Sequence, residues 1–250
     1  MHRHALAGAA ALALIVAGAM PAAASCEDAP KAKVDWTGCS KPQLMLANDD
    51  LTGAILAKAV LNGTDLAGAK LAGAKLAEAE VTLVRFQGAD LSGADFTKAV
   101  GWRANFSKAK LAKANFHTAQ MIRSSFAQAN LAGANLAKSE MNRSDFTGAD
   151  LAGADLSKAE LARAVFANAK LSGVNFSYAN LARANLAGLD LSGVEMTGAH
   201  LYLTQLRGAN LAQAAGLTQG QLDIACGSPE TKLPAGLNRP KGWPCSEEDD

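Results

Sequence analysis

The sequence predicts an all-β solenoid, a four-sided coil of about eight turns closed at its C-terminal end by a short helix and a capping tail. Three observations carry that expectation. Every fifth residue from Leu51 to Leu211 is Leu, Phe, Met or Val, with Gly101 as the one exception, and all eight Phe of the chain fall in this register. Two residues before each of these lies a second register that is mostly Ala, as at Ala54, Ala59, Ala69 and Ala74. The large residues also return after twenty: Phe86, Phe106, Phe126, Phe146 and Phe166 share one column, while another column is Leu throughout, from Leu51 to Leu211.

An α-helix cannot use a period of five, because five residues advance about 500° and successive Leu would wander around the cylinder. A continuous strand fails as well, since an odd period sends successive Leu to opposite faces. The spacing of two between Ala and Leu is strand-like, so both can point inward over a short extended piece. The chain must then turn before the next Leu, and repeating that turn yields a coil with an apolar lumen. The return at twenty sets four sides per coil, with residue n above residue n−20. Three outward positions complete each unit: often Asp or Asn before the Leu, then a small residue, then Gly, Lys or Arg. The Asp and Asn are read as solvation of the wall, and the small Ala lets opposite walls approach closely.

The units "ADLSG", "ANLAG" and "ADLAG" resemble the A(D/N)LxG unit of pentapeptide-repeat proteins, over about residues 44–214. The resemblance implies a right-handed, four-sided β-helix; the handedness comes from the family and not from the spacing. The ending "GLTQGQLDIACG", followed by "TKLPAGL", also resembles the tail after the repeats in that family and implies a cap. Thr218 with Gln221 three residues on forms a capping box, so a short helix is expected within 217–226. The expected division is a signal peptide over 1–25, an N-terminal cap segment over 26–50, the repeat over 51–214, and a C-terminal cap over 215–250.

The first residues read as an export signal. His2, Arg3 and His4 precede the apolar run "ALAGAAALALIVAGAM", and Ala22 and Ala24 stand in an A-x-A arrangement. A retained anchor is disfavoured by the short, Ala-rich run. Lipoprotein processing at Cys26 stays open, because "AASC" resembles a degraded lipobox. The expected location is periplasmic or secreted. The four cysteines lie near the two ends, at Cys26, Cys39, Cys226 and Cys245, and an even count in an exported chain suggests disulfides. Neither pair has C-x-x-C spacing or a nearby His, which argues against zinc. On a rod whose ends lie tens of ångströms apart, a bond that needs Cα atoms within about 7 Å can form only as Cys26–Cys39 and Cys226–Cys245.

Charge is balanced, with a formal net charge of +1, and loss of Arg3 would leave the chain neutral. That argues against a protein that grips nucleic acid by bulk charge. The balance hides a pattern. Beside the irregular column the last outward position is Arg five times running: Arg103, Arg123, Arg143, Arg163 and Arg183. Beside the mixed column it is often Lys, as at Lys58, Lys98, Lys138 and Lys158. Folded into coils of twenty, the arginines form a ladder one rung apart. One reading pairs them with the nearby outward Glu140, Glu160 and Asp145. The other makes them a docking stripe for a linear polyanion or a protein. Trp102 and Ile122 are outward one rung apart beside Arg103 and Arg123, and Trp with Arg is a common interface centre. The local alternative is that Val100 or Trp102 tucks over the gap left by the inward Gly101.

Catalysis has little support: His117 and His200 are isolated, and no carboxylate pair stands out among the surface Asp. No metal or other cofactor is expected. The function expected is an exported, non-enzymatic structural or protein-interaction module, with binding of a linear polyanion as the alternative. The partner would be a protein or an anionic polymer of the cell envelope, with no nucleic acid in the native compartment and no integral membrane span after cleavage. The family resemblance also raises mimicry of DNA at gyrase, but neutral charge and an export signal disfavour it. Ice binding would want flat ranks of Thr, which no column supplies.

Overall fold

The computed structural model describes residues 25–245. The expected signal peptide therefore lies, apart from its last residue, outside the described residues. Parallel bridges join residue n to residue n+20 from Asp35↔Ile55 to Glu195↔Ala215, four to each coil and interrupted once. Every side of a coil is one short extended piece ending in a two-residue corner.

One unit shows how the sequence does this. Leu51 points into the lumen, Thr52 and Gly53 make the corner, Ala54 points in again, and Ile55 faces out in mid-face. The Ala54 amide donates to the Leu51 carbonyl at 2.9 Å, closing the corner. The second corner residue has positive φ, 66° at Gly53, as a type II turn requires. Between coils the Leu51 and Gly53 amides donate to Lys70 and Ala72 at 2.8 and 2.9 Å. Bonds of these two kinds satisfy the backbone of the unit within its own coil and to the coil above.

The Asp and Asn before each Leu have a more definite role than solvation. Their carboxylate or amide oxygen accepts the amide of the first corner residue two positions on, as in Thr52 to Asp50 at 3.0 Å and Ala152 to Asp150 at 3.1 Å. Asn does the same at Asn130 and Asn135. Each is an Asx turn that pre-forms a corner, which explains why both residue types serve.

Inside, like stacks on like. Phe86, Phe106 and Phe126 follow one another at 4.8 Å with rings within 10° of parallel, and the column continues through Phe146 and Phe166 at 5.1 and 5.0 Å. Phe96 and Phe116 stack at 4.7 Å and meet the first column edge-on. The stacking distance is the spacing of hydrogen-bonded strands, so the backbone ladder sets the ring geometry.

At the N-terminal end the coil begins earlier than the sequence division placed it. Residues 31–50 already carry the corner pattern and bridge to the coil above. Lys31 and Lys41 stand at lumen-register positions there, which breaks the apolar count and makes the segment read as a separate cap. The plug is Trp36, fully buried, with its indole N–H donated to the Asp28 carbonyl at 3.1 Å and the Lys41 ammonium 4.6 Å from its ring centre. The Cys26–Cys39 disulfide, with Cα atoms 5.4 Å apart, ties the leading segment to this coil.

At the other end, the helix α1 (Gln219–Asp223) starts at Thr218, whose hydroxyl accepts from the Gln221 amide while the Gln221 side chain accepts from the Thr218 amide. The chain then returns to the ladder: Gln205↔Cys226 and Asn210↔Lys232 cover the exposed edge of the last coil. Trp243 lies on Gly227, where a Cβ would collide with its ring, and donates to the Ala225 carbonyl at 2.6 Å. Cys226–Cys245 fastens the tail, again with Cα atoms 5.4 Å apart. Among the described residues, no helix is long and apolar enough to cross a membrane.

Candidate interaction surface

The five arginines occupy one corner of the rod, each as the second corner residue. Their φ values are 53°, 56°, 59°, 60° and 57° for Arg103, Arg123, Arg143, Arg163 and Arg183. Each amide donates to the next rung, from Arg103 to Ile122 at 3.1 Å up to Arg183 to Tyr202 at 2.8 Å. The corner backbone is therefore fixed, and the side chains leave it at intervals of one rung, about 4.8 Å.

The first sequence reading of these arginines, as partners of Glu140, Glu160 and Asp145, is overturned. Among the described residues none of the five makes an ion pair within 4.0 Å. The carboxylates are engaged elsewhere. Glu160 accepts from the Asn180 side chain at 2.7 Å, Glu140 accepts from Gln120 at 3.4 Å, and Asp145 accepts the Thr147 amide at 2.9 Å. The reason is geometric: mid-face residues meet their own column one rung away, while corner residues project past the edge of the face.

Trp102 does not tuck over Gly101. A Cβ at Gly101 would lie 2.7 Å from the Met121 sulfur and 2.8 Å from a Val81 methyl, so the gap is already filled from the rungs above and below. Trp102 stays 47 % exposed, with the guanidinium carbons of Arg103 and Arg123 each 5.5 Å from its ring centre. Val100 beside it and Leu83 one rung below are 43 % and 56 % exposed, and Leu83 donates its amide to the Trp102 carbonyl at 2.9 Å. Ile122 is half-buried. This corner is also built differently. Ala104 lacks the usual turn bond, and its amide goes instead to the buried Ser124 hydroxyl at 3.1 Å.

Sequence reasoning missed Tyr202, which stands in the Trp102 column at the far end of the ladder and is 48 % exposed. His200 stacks against it at 6.3 Å. The signal was available, because Tyr202 follows Trp102 by a whole number of coils. The basic corner is thus bracketed by an aromatic at each end, about 24 Å apart at five rungs. The Lys column is less uniform, since Glu78 interrupts it and pairs with Lys58 at 3.7 Å. His117 and His200 join no cluster, and among the described residues no group of His, Cys, Asp and Glu could hold a metal ion.

Comparison with known proteins identifies the repeat. Residues 50–82, 79–117 and 103–137 match the profile of pentapeptide repeats in eight copies, and residues 139–215 match that of a pentapeptide repeat region. HetL, a pentapeptide repeat protein involved in heterocyst differentiation regulation in the cyanobacterium Nostoc sp. strain PCC 7120, is 30 % identical over 82 % of this chain and 93 % of its own, with a TM-score of 0.44. The chain belongs to the pentapeptide repeat family.

Pentapeptide repeat proteins form right-handed quadrilateral β-helices, which supplies the handedness of the present coil. QnrB1, a plasmid-mediated fluoroquinolone resistance protein, is similar at 17 % identity over 80 % of this chain and 91 % of its own, with a TM-score of 0.36. A pentapeptide repeat protein of the Arabidopsis thaliana thylakoid lumen is 29 % identical over 60 % of this chain and 82 % of its own, with a TM-score of 0.26. No curated protein matches the chain significantly. Pentapeptide repeat proteins are generally structural or interaction modules, and the inward residues that define the family carry no functional detail. The outward corner of Trp102, the five arginines and Tyr202 is one place where the chain departs from the uniformity of its own repeat.

Proposed function

We propose that this pentapeptide repeat protein is an exported, non-enzymatic interaction module. Its rod of about nine coils, sealed by a terminal helix and tail, docks an anionic partner along the arginine corner. One observation carries the reading: five guanidiniums share one edge without an ion pair among the described residues, while neighbouring carboxylates are bonded to amides. Cations held unpaired at one-rung intervals are complementary to a partner that brings its own negative charge. Trp102, held between two guanidiniums with Leu83 and Val100 exposed beside it, supplies an apolar anchor of the kind that centres protein interfaces. Two disulfides and the N-terminal sequence support a periplasmic or secreted location.

The partner favoured is a protein with an acidic face, because Trp102, Leu83 and Val100 add an apolar surface that a bare polyanion would not use. A linear polyanion of the cell envelope is the second reading, favoured by the even spacing of the ladder. Mimicry of DNA at gyrase fits poorly with a basic edge on a neutral rod.

The test is capture from a periplasmic extract, with wild type beside a variant in which Arg103, Arg123, Arg143, Arg163 and Arg183 are all changed to Gln, and with Trp102→Ala. Loss of the same captured protein from both variants supports the protein reading. Loss of an anionic polymer from the arginine variant alone points to the second. Identical captured sets from all three would remove the corner from consideration.

A further inference from the structure

The bridge series is broken at one place below its last coil: Lys170 and Asp190 are not paired. The break is a whole side of the coil. One rung below, the Gly148, Leu151, Gly153 and Lys170 amides donate to Ala167, Lys170, Ser172 and Ala149 at 2.8 to 2.9 Å. The four equivalent amides, of Asn168, Leu171, Gly173 and Asp190, find no acceptor among the described residues, and the carbonyls of Ala187, Asp190, Ser192 and Ala169 find no donor. One rung above, pairing resumes, with Leu191 to Asn210 at 2.9 Å. The adjoining sides stay closed through Val165↔Asn185 and Asn175↔Glu195. A cleft of about 490 Å³ opens between the separated rungs, bordered by Ala169, Lys170, Leu171, Ser172, Asp190 and Ser192.

The cause is readable in the lumen. Leu189 stands in the register that is Ala at Ala149, Ala169 and Ala209, and it is buried. Val174 and Val194 enlarge the same register nearby. The lumen is overfilled here, and the wall parts rather than the stacked rings, because overpacking is relieved by backbone shifts.

The chemistry of the cleft is that of an unpaired strand edge on both lips. Its two charged side chains bond away from the opening: Lys170 to Asp150 at 3.6 Å below, and Asp190 to the Asn210 side chain at 3.0 Å above. One cation on one lip and one anion on the other ask for no net charge in an occupant, so the ligand class differs from that of the arginine corner. Backbone donors and acceptors facing each other across a gap are complementary to another polypeptide backbone, which offers both groups on both edges.

We propose that this split side is an acceptor site for a short, uncharged, extended peptide segment of a partner protein, inserted between the rungs of Lys170 and Asp190. Its side-chain preference follows from the overfilled lumen. Alternate residues of the segment point inward and must be Gly or Ala, while the residue between them points to solvent and is free.

The test is amide exchange on the full-length protein with the probe acetyl-Gly-Ala-Thr-Ala-Gly-amide, and with the same peptide N-methylated at alternate amides. In the free protein the amides of Asn168, Leu171, Gly173 and Asp190 exchange faster than those of Gly148, Leu151, Gly153 and Lys170. Probe at about ten times its Kd slows them about tenfold, and the N-methylated peptide does not. Leu189→Ala closes the side: the four amides become protected without peptide, the probe has no further effect, and thermal stability does not fall. Equal protection of the two sets in free wild type would overturn the proposal. So would probe that leaves exchange unchanged, or N-methylated peptide that protects as well as the probe.

Discussion

Arg143 adopts φ of 59° at a corner position that Gly148 and Gly153 fill at neighbouring corners. A left-handed conformation costs a residue with a Cβ about 1–2 kcal/mol, of which about 0.5–1 is offset because such a residue loses less freedom on folding than glycine. Arg143→Gly is therefore expected to stabilise the rod by up to about 1 kcal/mol, raising the melting temperature by about 2–4 °C, while weakening capture of an anionic partner. Thermal unfolding and capture of the same variant read both effects, and a lower melting temperature would refute the strain account. The five arginines thus occupy positions where stability alone would prefer glycine, as is common at functional surfaces. At the same scale, the hydroxyl of Ser92 donates to Asp90 at 2.7 Å and, with the Ser92 amide and Lys110, holds its carboxyl below the usual range. A depressed folded pKa gives stability that is present above about pH 4, the unfolded value, and is lost as pH falls through the folded one. Asp90→Asn keeps the Asx oxygen but cannot titrate. The variant is expected to lose less stability than wild type between pH 7 and pH 3, as read from urea midpoints.

A single side of the coil is built from five residues with separate duties, and they were not equally legible. The inward Leu, Phe and Ala were, because apolar periodicity leaves a direct trace in sequence. The corners were legible only as places where something turns. That Asp50 or Asn130 pre-forms a corner, or that the residue two after each Leu has positive φ, depends on backbone geometry that composition does not reveal. The coil at 31–50 was hidden because Lys31 and Lys41 replace the apolar signal. Pairing was the least legible property of all: Glu140 and Glu160 are close to the arginines in sequence and in column, yet corner and mid-face project in different directions. The tolerance of the lumen is a further property of this scale. Ala154 is buried in the register that Leu189 overfills, so Ala154→Leu is expected to cost about 1–3 kcal/mol. It should also expose amides one rung away, which equilibrium unfolding with hydrogen exchange would detect. An unchanged unfolding midpoint would mean that the lumen has more slack than its stacked rings suggest.

For the molecule as a whole, each bridge joins one coil to the next, so the two ends need devices of their own. Trp36 plugs one, and the stretch from Cys226 to Lys232 pairs across the other. Each is fastened by a disulfide. A net charge of +1 describes the total and conceals the arrangement: a basic edge runs up one corner, while a neutral cleft opens on another side. The ladder that joins residue n to n+20 also turns chain length into angle. Twenty residues added between Arg143 and Arg163 would lengthen the span from Trp102 to Tyr202 by one step and leave both on the same edge. Five residues added there would keep every Leu inward, yet would carry Arg163, Arg183 and Tyr202 a quarter-turn around the rod. Gains and losses of whole coils can therefore set the reach of this surface, whereas gains of single units would divide it in two.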